Sequence, residues 1–431
     1  MLKYTDDFLN RITMYSLMLY FLIALNVISI ILAFLNLLPF NPWQMILNVA
    51  VLYGSCKLLN IIFSKLLKVQ SNWESSAITG LILALIIGPD TQPGQIGLLI
   101  LIAAIAVASK FIIVYNRRHI FNPAALAVVV GAAAMGLGAS WWVGTMPMLP
   151  FVVIGGLLFL RKARWFHLAS SFILTYSILL AATLIYSGIA LVEIPNYLTN
   201  AFLYSPILFF SFIMLTEPLT MPGTKRNRVV YGALAGAAAV LLPFFLNVNF
   251  ALELSLLIAN LLALLFFGNT RRFLKLIKKD AIAANTTEFT FAPDRKLKFE
   301  AGQFMLWTLH HSSPDFRGHR RYFSIASAPS ESEIKLVTKF AAQSSSFKSK
   351  LMELPAGSEI MAANLDGDFV LPKNLGQPCV FIAGGVGIAP FRSMIKHLLN
   401  ESRSMPITLF YSNNREDEIA YKPLWDEAKE K

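Results

Sequence analysis

RYFSIAS (Arg321–Ser327) and AGGVGIAP (Ala383–Pro390) are the two stretches whose reading decides how this chain folds. Around the first lie short alternating runs: EFTFAP, QFMLWTLHH, EIKLVTKF and SEIMAAN. Each has the length of a strand and is punctuated by Gly, Pro, Asp or Ser, which predicts a small antiparallel β-barrel over 285–376. From 377 the pattern changes to a strand (CVFIAG), a glycine turn, a helix (APFRSMIKHLLN), a strand (ITLFYS) and a charged helix (REDEIAYKPLWDEAKE). That is a parallel βαβ unit, whose ligands sit at the carboxyl ends of its strands. Gly384, Gly385 and Gly387, followed by Ile388, Ala389 and Pro390, close the strand and open the helix. Lacking side chains, the glycines let backbone approach a pyrophosphate at the positive helix end.

Upstream the chain is a different physical object. The composition is 56% hydrophobic and 14% charged, with the charge deficit concentrated in the first 270 residues. Ten apolar segments are expected to span a membrane, near 16–38, 43–64, 77–88, 95–115, 121–137, 148–160, 165–188, 199–215, 228–246 and 249–268. The first is preceded by a polar stretch, so it reads as a span and not as a cleaved signal. With the N-terminus inside, the cytoplasmic loops carry Lys65, Lys68, Arg117, Arg118, Arg161, Lys162, Arg164, Lys225, Arg226 and Arg228, while the outer loops carry no Lys or Arg. This split puts both termini in the cytoplasm. The net charge of +12 is thus spent on topology, and nucleic acid is not an expected partner. A basic linker is expected over 271–284. Five helices plus five imply an inverted repeat, the arrangement found where a site sits at the bilayer midplane. Helix breaks at Pro89-Asp90, Asn122-Pro123 and Glu217-Pro218 fit that picture. Glu217 reads either as a functional acid at membrane depth or as a loop carboxylate pairing with Arg226 or Arg228. Two cysteines, Cys56 and Cys379, are too few for a disulfide framework or an iron–sulfur cluster.

FNPAALA (121–127), MLPFVVIGGLLFLRK (148–162) and TEPLTMPGTKRNRVVYGALAG (216–236) resemble the D-type membrane subunit of the Rnf electron-transport complex and its relative, the B-type subunit of the sodium-translocating NADH:quinone oxidoreductase. The likeness covers most of residues 15–270. It implies a ten-helix, flavin-bearing subunit of the inner (cytoplasmic) membrane, linked to cation movement and to other subunits. Members of that family carry FMN on a threonine, for which the matching interval here offers Thr145, in a context that departs from the family's S-G-A-T-like segment. Trp141 and Trp142 beside it read as a membrane-interface anchor.

The barrel followed by βαβ resembles the ferredoxin–NADP reductase family. On that resemblance Arg321 pairs with the FAD pyrophosphate, a contact suited to a planar guanidinium. Phe323 lies beside the isoalloxazine, Ser324 hydrogen-bonds near its N5, and Tyr322 completes the motif. VTKF and SSSFKSKL match the second phosphate-binding segment, giving Thr338, Ser345 and Ser346, although Ala342-Gln343 replaces its usual glycine pair. Gly384, Gly385, Gly387, Ile388, Ala389 and Pro390 would hold the nicotinamide nucleotide. Arg415 suits a 2′-phosphate and equally a solvated turn, so the residues do not choose between NADH and NADPH. The nucleotide lobe is shorter than the family's, which reads as a fragment or an abbreviated lobe.

The sequence therefore predicts a polytopic α-helical domain (1–270), an FAD-binding β-barrel (285–376) and a partial α/β nucleotide lobe (377–431). The implied activity passes electrons from NAD(P)H through FAD to a membrane-associated acceptor, a flavin or a quinone. The rival reading is a transporter with a regulatory or degenerate flavodomain. Haem is not expected, because the first 270 residues hold only His119 and His167, both at the cytoplasmic edge.

Overall fold

The structure, a computed structural model, describes residues 6, 9, 11–69, 73–89, 93–116, 118–136, 138–246, 248–267, 271–315 and 317–430. Asp90 and Arg117 lie outside these. The chain divides into two compact units, Met1–Asn269 and Thr270–Lys431.

The first unit is helical. Its helices are α1 (Met14–Phe34), α2 (Pro42–Leu66), α3 (Trp73–Ile86), α4 (Ile96–Ile112), α5 (Pro123–Met135), α6 (Leu149–Ala163), α7 (Phe166–Tyr186), α8 (Ile194–Leu203), α9 (Ile207–Phe209, continued by a π-turn over Phe210–Met214), α10 (Lys225–Leu246) and α11 (Ala251–Phe266). A two-residue ribbon, β1 (Val114–Tyr115) and β2 (Arg118–His119), separates α4 from α5. Each expected apolar segment contains helix. Among the described residues four helices, α1, α2, α7 and α10, are long and apolar enough to cross a membrane, and α8 with α9 and its π-turn form a pair bent by 64°. Asn-Pro starts define α2 and α5. Asn41 and Asn122 accept hydrogen bonds from the first-turn N–H groups, and the proline that follows has no N–H to satisfy.

Packing repeats between the halves. In the first, α2 packs on α4 and α4 on α5; in the second, α7 packs on α10 and α10 on α11. The leading helices of the halves, α1 and α6, pack together, as do the closing helices α5 and α11. Close approach of α10 to α7 depends on Gly232 and Gly236, where an added Cβ would fall 2.6 Å from Leu168 O and from Phe172 O respectively.

Buried polar groups gather where the helices break. Asn260 Oδ1 accepts from Asn122 N (2.8 Å), Asn122 Nδ2 donates to Met214 O (3.3 Å), and Asn260 Nδ2 donates to Tyr231 Oη (2.7 Å). Thr216 Oγ1 donates to Phe212 O and Ile213 O, which partners two of the π-turn's carbonyls. Glu217 is paired with neither Arg226 nor Arg228: its Oε1 lies 2.7 Å from His119 Nε2, while Arg228 donates to Pro222 O and Gly223 O. Sequence distance hid this contact, since β2 and the end of the π-turn meet only in the fold. Trp142 is likewise no interface anchor. It is 4% exposed, and its Nε1 donates to Ala84 O and Ile87 O.

The second unit holds an antiparallel sheet of six strands, β3 (Arg272–Ala283), β4 (Thr286–Pro293), β5 (Phe304–Thr308), β6 (Arg320–Ser324), β7 (Ile334–Lys339) and β8 (Glu359–Asp366), ordered β6-β5-β8-β3-β4-β7. The expected basic linker is the longest of them. In RFLKLIKK, Leu274 and Leu276 are buried and Lys275 is exposed, a period-2 alternation that the lysines obscured. Edge strands β6 and β7 share no ladder; beyond β6, Ala326 N donates to Lys335 O on β7, so the sheet is an open half-barrel. Trp307, Phe289 and Phe291 fill its concave side, and α12 (Ser346–Glu353) buries Phe347 and Leu351 there. Each of those side chains contributes roughly 1.5–3 kcal/mol by burial.

The remaining elements are β9 (Cys379–Gly384), α13 (Ala389–Asn400), β10 (Ile407–Ser412) and α14 (Lys422–Glu430). Strands β9 and β10 pair in parallel, with Gly384 opposite Ser412 at their carboxyl ends. Their Phe381, Ala383, Leu409 and Tyr411 face α13 and α14, whereas Val380, Ile382 and Phe410 are exposed on the opposite face.

Candidate functional site

Strand β6 alternates. Arg321 and Phe323 point to the side of α12, and Tyr322, 61% exposed, points away and packs edge-on against Phe304 (5.4 Å). Arg321 is 6% exposed. Its Nη2 donates to both oxygens of Asp315 (2.6 and 2.9 Å), and its Nη1 to the carbonyls of Arg317, Gly318 and Arg320. The guanidinium also lies over the Phe347 ring (5.6 Å), which packs on Phe323 (5.7 Å). Arg321 Nε is buried with no hydrogen-bond partner.

Ser345 caps α12, accepting from Lys348 N, and Ser346 N donates to Asp315 Oδ2 (3.2 Å). A carboxylate thus sits between a guanidinium and a helix N-terminus, the charge environment that phosphate oxygens need. Burial alone would push the Asp315 carboxyl up, but hydrogen bonds from Arg321 and Arg317 N and the Arg321 charge hold it below the usual carboxylate range. Of the expected flavin residues the structure brings together Arg321, Phe323, Ser345 and Ser346. Ser324 ends β6, Tyr322 lies on the other face, and Thr338 is buried in β7 opposite Thr287. The residues present fit a flavin diphosphate, with the unpartnered Arg321 Nε as an unused donor.

In the nucleotide lobe, Gly385 has φ +49°, a left-handed turn that favours glycine. A Cβ added at Gly384, Gly385 or Gly387 would meet nothing within 4 Å, so the loop faces open space. Pro390 lies in the first turn of α13, Ile388 beneath it is fully buried, and no side chain caps the helix. Ala389 N donates to Val386 O of the preceding Gly385–Ile388 turn, and Pro390 has no N–H. Arg415, in contrast, is engaged by Asp417 through Nε (3.1 Å) and Nη2. Thr145 Oγ1 is buried without a hydrogen-bond partner.

The two motifs meet. Arg392 Nη1 of α13 donates to Ala326 O (3.0 Å), and Ser393 Oγ donates to Ser327 O (2.6 Å). Arg392 also binds both carboxylate oxygens of Glu331 and lies over the Tyr421 ring (5.5 Å). Tyr421 Oη donates to Glu288 Oε2 (2.6 Å), and Lys335 pairs with Glu288 (3.0 Å). Sequence reasoning missed this network and Asp315, because the partners come from loops and helices up to 133 positions apart.

Glu331→Gln leaves the buried Arg392 short of its counter-charge and is expected to cost roughly 2–3 kcal/mol, read by urea unfolding. Burial would raise the Glu331 carboxyl, but the hydrogen bond and charge of Arg392 outweigh it and hold the group below its ordinary value of 4.5. A depressed folded value contributes stability above the unfolded value and loses it as pH falls through the folded one. Wild type should therefore lose more stability than Glu331→Gln as pH drops below about 4.5.

Residues 381–431 match the family described as the oxidoreductase NAD-binding domain. The chain is similar to the NAD(P)H-flavin reductase of Aliivibrio fischeri, 26% identical over 150 residues, covering 33% of this chain and 61% of the relative. It is also similar to the D component of the ion-translocating oxidoreductase complex of Salmonella paratyphi B, 30% identical over 125 residues, covering 29% and 33%. The chain thus spans 33% to 61% of the length of these relatives. Among solved structures, the flavohem-like FAD/NAD-binding domain of a nitric oxide dioxygenase from Vibrio cholerae aligns with 36% of this chain and 68% of its own, at 20% identity and a TM-score of 0.33. The chain carries, at its C-terminal end, an oxidoreductase NAD-binding domain of the ferredoxin–NADP reductase type, and its relatives include both flavin reductases and the D component of an ion-translocating oxidoreductase complex.

Proposed function

We propose that the protein is a membrane-bound oxidoreductase that takes electrons from NAD(P)H into FAD and hands them to an acceptor at the membrane, a flavin or a quinone. FAD supplies the chemistry when bound, accepting a hydride and releasing electrons singly, and the protein supplies orientation and electrostatics. Arg321, Phe323, Ser324, Ser345 and Ser346 hold the flavin, and the Gly384–Pro390 loop receives the nucleotide diphosphate. The observation that carries this reading is the bonding of the RYFSIAS tail to α13 through Arg392 and Ser393, which fixes the flavin strand against the nucleotide helix.

In this reading the helical unit crosses the inner membrane ten times as two inverted five-helix halves, with the second unit in the cytoplasm. The pairings of α1 with α6 and of α5 with α11 support such a repeat. The likeness to a component of an ion-translocating complex extends the proposal to partner subunits and cation coupling. The full chain, purified in detergent, should carry a flavin absorbance that denaturation releases entirely as FAD. A protein without flavin, or a haem Soret band in its place, would refute it.

A further inference from the structure

The flavin seat of the second unit already contains an anion. Asp315 lies in the loop between β5 and β6, and its carboxylate takes hydrogen bonds from Arg321 Nη2, Ser346 N and Arg317 N (2.9 Å). The loop is pinned from its other side, where Asp315 N donates to Ser346 Oγ (2.8 Å), itself 3.0 Å from His311 Nε2. Of these donors, Arg321 and Ser346 belong to residues that the flavin reading assigns to the cofactor. A guanidinium only 6% exposed needs a charge partner nearby, and in this structure Asp315 supplies it.

We propose that Asp315 is an internal stand-in for the flavin diphosphate, and that cofactor uptake is an exchange in which its carboxylate leaves Arg321 and the Ser346 N–H as the diphosphate arrives. The inference rests on the FAD reading above. The exchange favours the cofactor once the loop has moved, because a diphosphate brings two negative charges and more acceptor oxygens than one carboxylate. It gains the unused Arg321 Nε. It also meets the charges of Arg317 and Lys348, beside which Asp315 is the carboxylate that Arg321 binds. Arg320 O, on β6 itself, keeps its hydrogen bond to Arg321 Nη1 (2.8 Å) and so preserves the aim of the fork while the anions change places.

Because the occupied state competes with the cofactor, apparent affinity is reduced by the fraction of molecules in which the seat is free. Asp315→Asn keeps the side-chain shape and removes the charge. Titration of the flavin-free full chain with FAD, followed by flavin fluorescence, should give about tenfold tighter binding for Asp315→Asn than for wild type. In stopped flow, the wild-type association rate should level off as FAD is raised, because departure of Asp315 comes first, whereas that of the variant should rise in proportion to FAD. If wild type binds FAD and Asp315→Asn binds it equally or more weakly, Asp315 orients Arg321 in the loaded protein and the exchange is wrong, while the FAD reading stands. If neither protein binds FAD, both fail. Should Asp315→Asn not fold, the wild-type kinetics decide: a rate that rises linearly over the whole FAD range overturns the proposal.

Discussion

Arg321→Gln is expected to weaken FAD binding by about 100-fold, close to 3 kcal/mol, because a buried, charge-assisted contact to a diphosphate is lost and the remaining donors are neutral. The side chain is fixed by three carbonyls and by the Phe347 ring, so it is presented as a rigid fork. Arg321→Lys should recover only part of the loss, since a point charge on a flexible stem cannot keep those contacts and reach the cofactor together. Equilibrium dialysis against FAD measures both variants. Thermal unfolding of the flavin-free proteins separates the binding defect from the smaller destabilisation of leaving Asp315, 23% exposed, without its partner.

The second large effect is on stability. Gly302, just before β5, has φ +104°, and a Cβ there would lie 2.1 Å from Phe369 O and 2.4 Å from Met394 Cε on α13. Met394 Cε is the end of a flexible side chain, but the Phe369 carbonyl is backbone. Gly302→Ala therefore combines a backbone conformation reserved for glycine with a contact that only a shift of the main chain relieves. It should destabilise the second unit by about 3 kcal/mol or more, seen as an early transition in urea with loss of FAD. The site is informative because this turn packs against the helix that carries Arg392 and Ser393. A loosened turn there should also lower the affinity for nicotinamide nucleotide, although residue 302 lies outside the glycine loop.

Much of this architecture was legible in the sequence, for physical reasons that differ between the units. The helical unit announced itself through long apolar runs, and Asn-Pro pairs marked where α2 and α5 begin. In the second unit, RYFSIAS, EIKLVTKF and CVFIAG carry the period-2 pattern of half-buried strands, and GGVGIAP opens a helix as its glycines and proline require. What stayed hidden depends on pairing at a distance. Strand β3 was masked by its lysines, whose alternation with Leu274 and Leu276 becomes decisive only when β4 and β8 flank it. Trp142 looked like an interface residue because its neighbour is also Trp, yet its indole N–H is consumed by carbonyls of α3 and the residue that follows it. The partners of Glu217, Arg321 and Arg392 are His119, Asp315 and Glu331. None of them shares a helix or strand with its partner, so no local periodicity could connect them.

The most direct test of electron transfer from a nicotinamide nucleotide into the flavin is anaerobic addition of NADH, and separately NADPH, to the FAD-loaded full chain in detergent. The account predicts that at least one of them bleaches the long-wavelength flavin band in proportion to the nucleotide added, and that Gly385→Val prevents it while FAD stays bound. A flavin band that neither nucleotide changes, in a protein that retains its FAD, would contradict the account and favour a flavodomain that regulates the helical unit without passing electrons to it.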